Sequence, residues 1–185
     1  MKTLLCLALG GAAAAASAQT PAAATAAPTV VVRMASSSPV ITGAKETFTG
    51  TVRISSPFQA QSPGRAGGAT VSFEARARTY WHTHPLGQTL VVTAGLGLVQ
   101  QQGQTAQVIR PGDVVSIPAN VRHWHGAGPS GTMSHVAIAE KEDGNSVTWQ
   151  DKVSDQDYQA ALSSAGLASA IPAVTPAGHA AQSTD

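Results

Sequence analysis

The stretch YWHTHPLGQ, residues 80–88, carries two histidines one residue apart, and VRHWHGAG, residues 121–128, repeats the spacing. The chain has six histidines, and five of them fall between His82 and His135. Successive side chains of an extended strand point to opposite faces, so His82 and His84 share one side, as do His123 and His125, while Trp81 and Trp124 face the other way. Pro85-Leu86-Gly87 makes a turn or bulge that returns Gln88 to the interior side as the strand resumes. A His-x-His pair with a further oxygen or nitrogen donor and a distant histidine suits a non-structural metal site with positions left open for a substrate. The competing reading is a set of hydrogen-bonded core histidines.

Outward from these stretches the chain is written in short β-branched and aromatic runs set off by Gly, Pro or Asn. They cover residues 51–54, 69–75, 78–82, 89–94, 97–101, 107–109, 113–117, 121–125 and 134–140. Such spacing predicts an all-β single domain, a sandwich or barrel. In the last run, alternation places His135, Ala137 and Ala139 on one face and Val136 and Ile138 on the other. One helix is predicted near the C-terminus, capped by Ser154 with Asp155 and Asp157 in its first turn, and lying outside the barrel.

The ends read differently. Lys2, the apolar run from Leu4 and the small residues Ala16-Ser17-Ala18 predict a secretory signal peptide over residues 1–18, cut after Ala18, and hence an exported, periplasmic protein. Residues 19–39 and 168–185 are rich in Ala, Thr, Ser and Pro and read as a disordered linker and tail around a domain at 40–167. Cys6, the only cysteine, lies in the signal, so the mature chain is expected to have no disulfide. Without Lys2 the acidic and basic residues balance, which predicts no nucleic-acid or membrane partner. His179 lies in the tail and is expected to be inert.

Two motifs carry a family resemblance. His82, His84, Gln88 and Gly95 fit the first cupin motif, with Arg76 where a Gly is usual; Gly112, Pro118, Asn120 and His123 fit the second. Asn suits a Gly slot because it tolerates the left-handed backbone. The chain therefore resembles the cupins, which implies a jelly-roll barrel (a double-stranded β-helix). From about Phe48 to Tyr158 it is most similar to the bacterial manganese-dependent (R)-selective hydroxynitrile lyases. That resemblance implies metal ligation by His82, His84, Gln88 and His123, a pocket lined by His125 and His135, and self-association as a homodimer or homotetramer. Manganese is the first metal implied, with iron, nickel, cobalt or zinc as alternatives. Trp81 and Trp124 are expected on the outer sheet face or at a dimer interface. Tyr80 departs from the lyases, which carry a small residue there; its parity matches His82, so it is expected to point inward, narrow the pocket and belong with the catalytic set.

Gln88 stands where most cupins supply a carboxylate, so the site keeps one more positive charge and favours polarising an oxygen or stabilising an anion. The expected chemistry is cleavage or formation of a cyanohydrin C–C bond, with His135 or His125 as general base on a small-molecule substrate. The alternatives are a cupin dioxygenase or decarboxylase acting on a small phenolic or keto acid, and a non-catalytic exported ligand-binding cupin.

Overall fold

Residues 29–168 are described by the computed structural model; the expected signal peptide, linker residues 19–28 and the tail from residue 169 lie outside them. The strands are β1 (Ile41–Thr42), β2 (Phe48–Thr49), β3 (Val52–Gln59), β4 (Ala66–Phe73), β5 (Arg78–Thr79), β6 (His82–Thr83), β7 (Gln88–Gly95), β8 (Gly97–Gln101), β9 (Gln107–Ile109), β10 (Val114–Ile117), β11 (His123–Ala127), β12 (Met133–Glu140) and β13 (Thr148–Trp149). One antiparallel sheet runs β1-β3-β4-β12-β7-β10. The second runs β13-β6-β11-β5-β2, with β8 also pairing β11 and β9 pairing β8. The result is the jelly-roll barrel that the resemblance implies, with one helix, α1 (Asp155–Ser164), near the C-terminus.

The apolar side of the alternation packs between the sheets. Val52, Val71, Phe73, Leu90 and Val92 from the first sheet meet Val99, Ile109 and Ala127 from the second. A separate cluster lies on the outer face of the second sheet, where Trp81, Leu98 and Trp124 pack against Tyr158, Ala161 and Leu162 of α1. The two tryptophans do face outward, and what covers them is the chain's own helix. The Ser154 hydroxyl caps that helix, accepting from the Asp157 N–H at 3.0 Å. Arg78, 2% exposed, pins α1 to the barrel. Its guanidinium donates to the Val153 carbonyl at 3.0 Å and to Asp155 at 2.6 Å, and lies 4.7 Å from the centre of the Tyr158 ring. Tyr158 in turn donates its hydroxyl to the Ala127 carbonyl at 2.9 Å.

Two expected strands change. Residues 78–82 do not run as one strand: β5 stops at Thr79 and β6 starts at His82. Residues 51–54 continue as far as Gln59, past a register shift between Ser55 and Phe58 where Ser56 takes φ 48°. Pro57 sits in that irregular stretch, where it removes no ladder hydrogen bond.

All four positions matching the motif glycines have left-handed backbone: Arg76 (φ 67°), Gly95 (72°), Gly112 (95°) and Asn120 (61°). The Asn120 N–H donates to the His84 carbonyl at 2.8 Å, so the turn of the second motif holds the first. At Gly95 a Cβ would also come within 1.8 Å of the Thr132 carbonyl oxygen. The left-handed conformation alone costs an L-residue about 1–2 kcal/mol, and the clash adds to it. Gly95→Ala should therefore lose more than about 2 kcal/mol in chemical denaturation, whereas Gly112→Ala, with open space at its Cβ, should lose only the backbone part.

Candidate metal centre

His82 and His123 are register partners across β6 and β11, so the antiparallel pairing itself brings the two expected ligands together, with ring centres 4.2 Å apart. His82 and His123 each turn Nδ1 toward a carbonyl two residues back in the chain, Tyr80 and Val121, both at 2.9 Å. His84 turns its Nδ1 to the Ser146 carbonyl. Since a carbonyl only accepts, each Nδ1 carries the proton and each Nε2 is left with a bare lone pair. This is the outer hydrogen bonding that orients metal-binding imidazoles.

Gln88 enters from β7 after the turn at Gly87, whose φ is 81° and whose N–H donates to the His84 carbonyl at 3.2 Å. The Gln88 Oε1 lies 3.2 Å from the His123 Nε2. With the His123 proton on Nδ1, these are two lone-pair atoms facing one another. Two ligand atoms about 2.1 Å from one metal at a right angle stand about 3 Å apart, so this spacing fits a shared cation. The His84 Nε2 and the His125 Nε2 are both buried without a hydrogen-bond partner. One ring nitrogen from each of His82, His123 and His125 lies within 4.8 Å of the other two. The donor set is thus the bare imidazole nitrogens of His82, His84 and His123 and an amide oxygen, with the His125 Nε2 beside them, and it fits a divalent cation. His82, His84, Gln88 and His123 share one site, and His125 adjoins it more closely than its sequence position implies.

His135 lies behind this group, 0% exposed, with its Nε2 3.1 Å from the His125 Nδ1. A register shift of β12 against β7 between Ser134 and His135 marks its place on the strand. Where His125 Nδ1 is the donor in that contact, the His125 Nε2 is left bare. His125 lines the central cavity; His135 is not among the residues that do. Burial is the first cause of low basicity throughout. It holds His82 and His125 well below 6.5, with the charges of His123 and His135 respectively as second causes. It lowers His84 as well, against the opposing Ser146 bond, and takes His123 and His135 down to about 4, each against an opposing backbone hydrogen bond.

The cavity in front of the histidines has a volume of about 400 Å³, within the ~300–1,000 Å³ of small-molecule sites. Its floor carries His82, His84, Gln88 and His125; Phe48, Phe58 and Trp149 stand around it, and Lys141 and Ser146 come from the segment after β12. No carboxylate lines it among the described residues. Tyr80 is the expectation that fails. Thr79 and His82 both line the cavity, so the break between β5 and β6 shifts the alternation by one, and Tyr80 instead donates its hydroxyl to the Lys45 carbonyl at 2.9 Å. Trp149, Phe58 and Lys141 had no counterpart in the sequence reading. Trp149 is the register partner of His82 on β13, a two-residue strand too short to show periodicity.

Comparison with known proteins gives the same picture. The cupin domain model matches residues 69–138. The chain is 52% identical over 117 residues to the (R)-mandelonitrile lyase of Granulicella tundricola, an alignment covering 63% of this chain and 89% of that protein. A cupin-like protein of Thermotoga maritima is similar in structure, with a TM-score of 0.61 and 38% identity, over 65% of this chain and 91% of that one. A cupin 2 conserved barrel domain protein of Rhodopseudomonas palustris shares the fold at 14% identity, with a TM-score of 0.53 over 73% of this chain and 90% of that one.

Two outcomes follow from this geometry. His84→Ala should remove most of the bound metal, measured by elemental analysis of the purified protein; full occupancy would overturn its place among the ligands. Because the buried histidines are less basic folded than unfolded, the unfolded chain takes up protons first as pH falls. Metal-stripped protein should therefore lose thermal stability steadily between about pH 6.5 and pH 4, the window set by the ordinary histidine value and the lowered His123 and His135 values.

Proposed function

The chain belongs to the cupin family, and from that premise we propose that it is a metal-dependent lyase that cleaves, or in reverse forms, the C–C bond of a cyanohydrin. The observation that supports this most directly is the 52% identity over 117 residues to a protein named (R)-mandelonitrile lyase. A divalent metal held by His82, His84, Gln88 and His123, with manganese the first to test, would supply Lewis acidity undiminished by any anionic ligand.

The protein's own groups account for the proton. A cyanohydrin presents its hydroxyl to the His125 Nε2, a buried imidazole nitrogen with no partner in the protein, on the cavity wall. That nitrogen takes the proton as the C–C bond breaks; the electron pair leaves with cyanide, an aldehyde forms, and the proton passes to cyanide as HCN. His135 fixes the His125 ring through the 3.1 Å Nε2 to Nδ1 contact, which makes it a positioning residue and His125 the base. Its lowered basicity keeps His125 neutral at neutral pH. Export after cleavage behind Ala18 and self-association as a homodimer or homotetramer complete the proposal.

The deciding experiment is a mandelonitrile cleavage assay on protein of known metal content. Manganese-loaded protein should turn over without O2, and no turnover would sink the lyase reading while leaving the fold untouched. His125→Ala should lower kcat by about 10²–10⁴-fold, the usual contribution of a positioned base, with most of the metal retained. Loss of metal together with activity would make His125 a ligand. For export, protein isolated from its natural source should begin at Gln19 on N-terminal sequencing.

A further inference from the structure

The mouth of the cavity carries a feature that cyanohydrin cleavage does not use. Along β12, His135, Ala137 and Ala139 face inward, and Lys141, one residue past the strand end, continues that parity. Lys141 is the only side chain with a fixed charge among those lining the cavity. Its neighbours do not neutralise it: Glu140, of the opposite parity, pairs with Arg65 at 2.8 Å, and Glu142 lies in the turn where its backbone bridges to Asn145. No carboxylate pairs with Lys141 among the described residues.

Its distance from the chemistry is set by register. Ala139 is the β12 partner of Gln88, so Lys141 stands two residues, about 7 Å of strand, beyond the level of that donor. An aromatic wall stands at the same cavity. Trp149, 37% exposed, has its ring centre 4.8 Å from that of His82 and 5.6 Å from that of Phe48. From the first sheet the same cavity is lined by the small side chains Ala69 and Ala137. The space over Gly68 is itself filled, since a Cβ there would come within 2.2 Å of the Ala137 carbonyl oxygen and 2.7 Å of the Phe58 ring. Exposed aromatic faces beside an uncompensated cation, about one ring's length from the donor set, are complementary to a ring with a negative end.

We propose that the substrate is an aromatic compound carrying an anionic group, its ring against Trp149 and Phe48, its reacting carbon toward Gln88 and the histidines, and its anion held by Lys141. This deepens the lyase reading, on which it rests for the reacting group, and it separates this chain's selectivity from that of a plain aryl cyanohydrin lyase.

The test is a binding measurement, so it is read whether or not cyanohydrin is cleaved. Metal-loaded full-length protein is titrated calorimetrically with benzaldehyde and with 4-formylbenzoate. The anion should bind about fivefold tighter at low ionic strength, the upper range for a partly exposed ion pair, and the advantage should shrink as salt is added. Lys141→Gln should abolish the advantage and Lys141→Glu should reverse it, while Trp149→Ala should weaken both probes. Equal binding of the two probes by the unsubstituted protein overturns the proposal. So does an advantage that survives Lys141→Gln, since the carboxylate would then be held elsewhere, for instance by the metal; an unchanged Trp149→Ala variant overturns the ring's place.

Discussion

Five imidazoles crowded into one barrel cannot all be charged, and the way each is kept neutral determines the rest of the site. Burial removes water from the rings, and each additional positive ring would repel its neighbours, so protonation is disfavoured from two directions. The backbone then decides which nitrogen holds the one remaining proton. Carbonyls of Tyr80, Val121 and Ser146 claim three Nδ1 positions, and the bare nitrogens are left where the strands converge. A cluster of lone pairs, with no carboxylate lining the cavity among the described residues, suits a cation and would leave that cation's charge intact.

The strands that carry these rings need a firm backing, because β5 and β6 are only two residues long. It comes from outside the barrel. Trp81 and Trp124, the residues that flank the His-x-His positions on the opposite face, are clamped under α1, and Arg78 ties the helix start to β5. Packing on the outer face thereby restrains the rings on the inner one.

Much of this was legible in the sequence because period-2 alternation and left-handed backbone both leave local marks. The sharing of one side by His123 and His125, the outward tryptophans, the helix cap at Ser154 and the tolerance of Asn120 for φ 61° all follow from neighbours in the chain. What escaped depends on contacts between distant segments. Tyr80 was misplaced because a break between two short strands shifts parity without any Gly or Pro to announce it. His125 and His135 looked alike in sequence; only the packing of β11 against β12 puts one at the cavity and the other behind it. Trp149 and Lys141 lie on a two-residue strand and just past a strand end, where there is no repeat to read.

One hydrogen bond among the three that orient ligand rings is unlike the others. His82 and His123 lean on carbonyls two residues back in the chain, whereas His84 leans on Ser146, 62 residues away, in the segment that also brings Lys141 and Val147 to the cavity mouth. Fixing the His84 ring therefore fixes that segment, and releasing the segment frees the ring. By reciprocity, whatever free energy metal occupancy contributes to ordering residues 141–147 is the same free energy by which their order tightens the metal. A metal held by these histidines would thus be coupled to the rim of the barrel, and amide exchange along the rim would read out the occupancy of the floor.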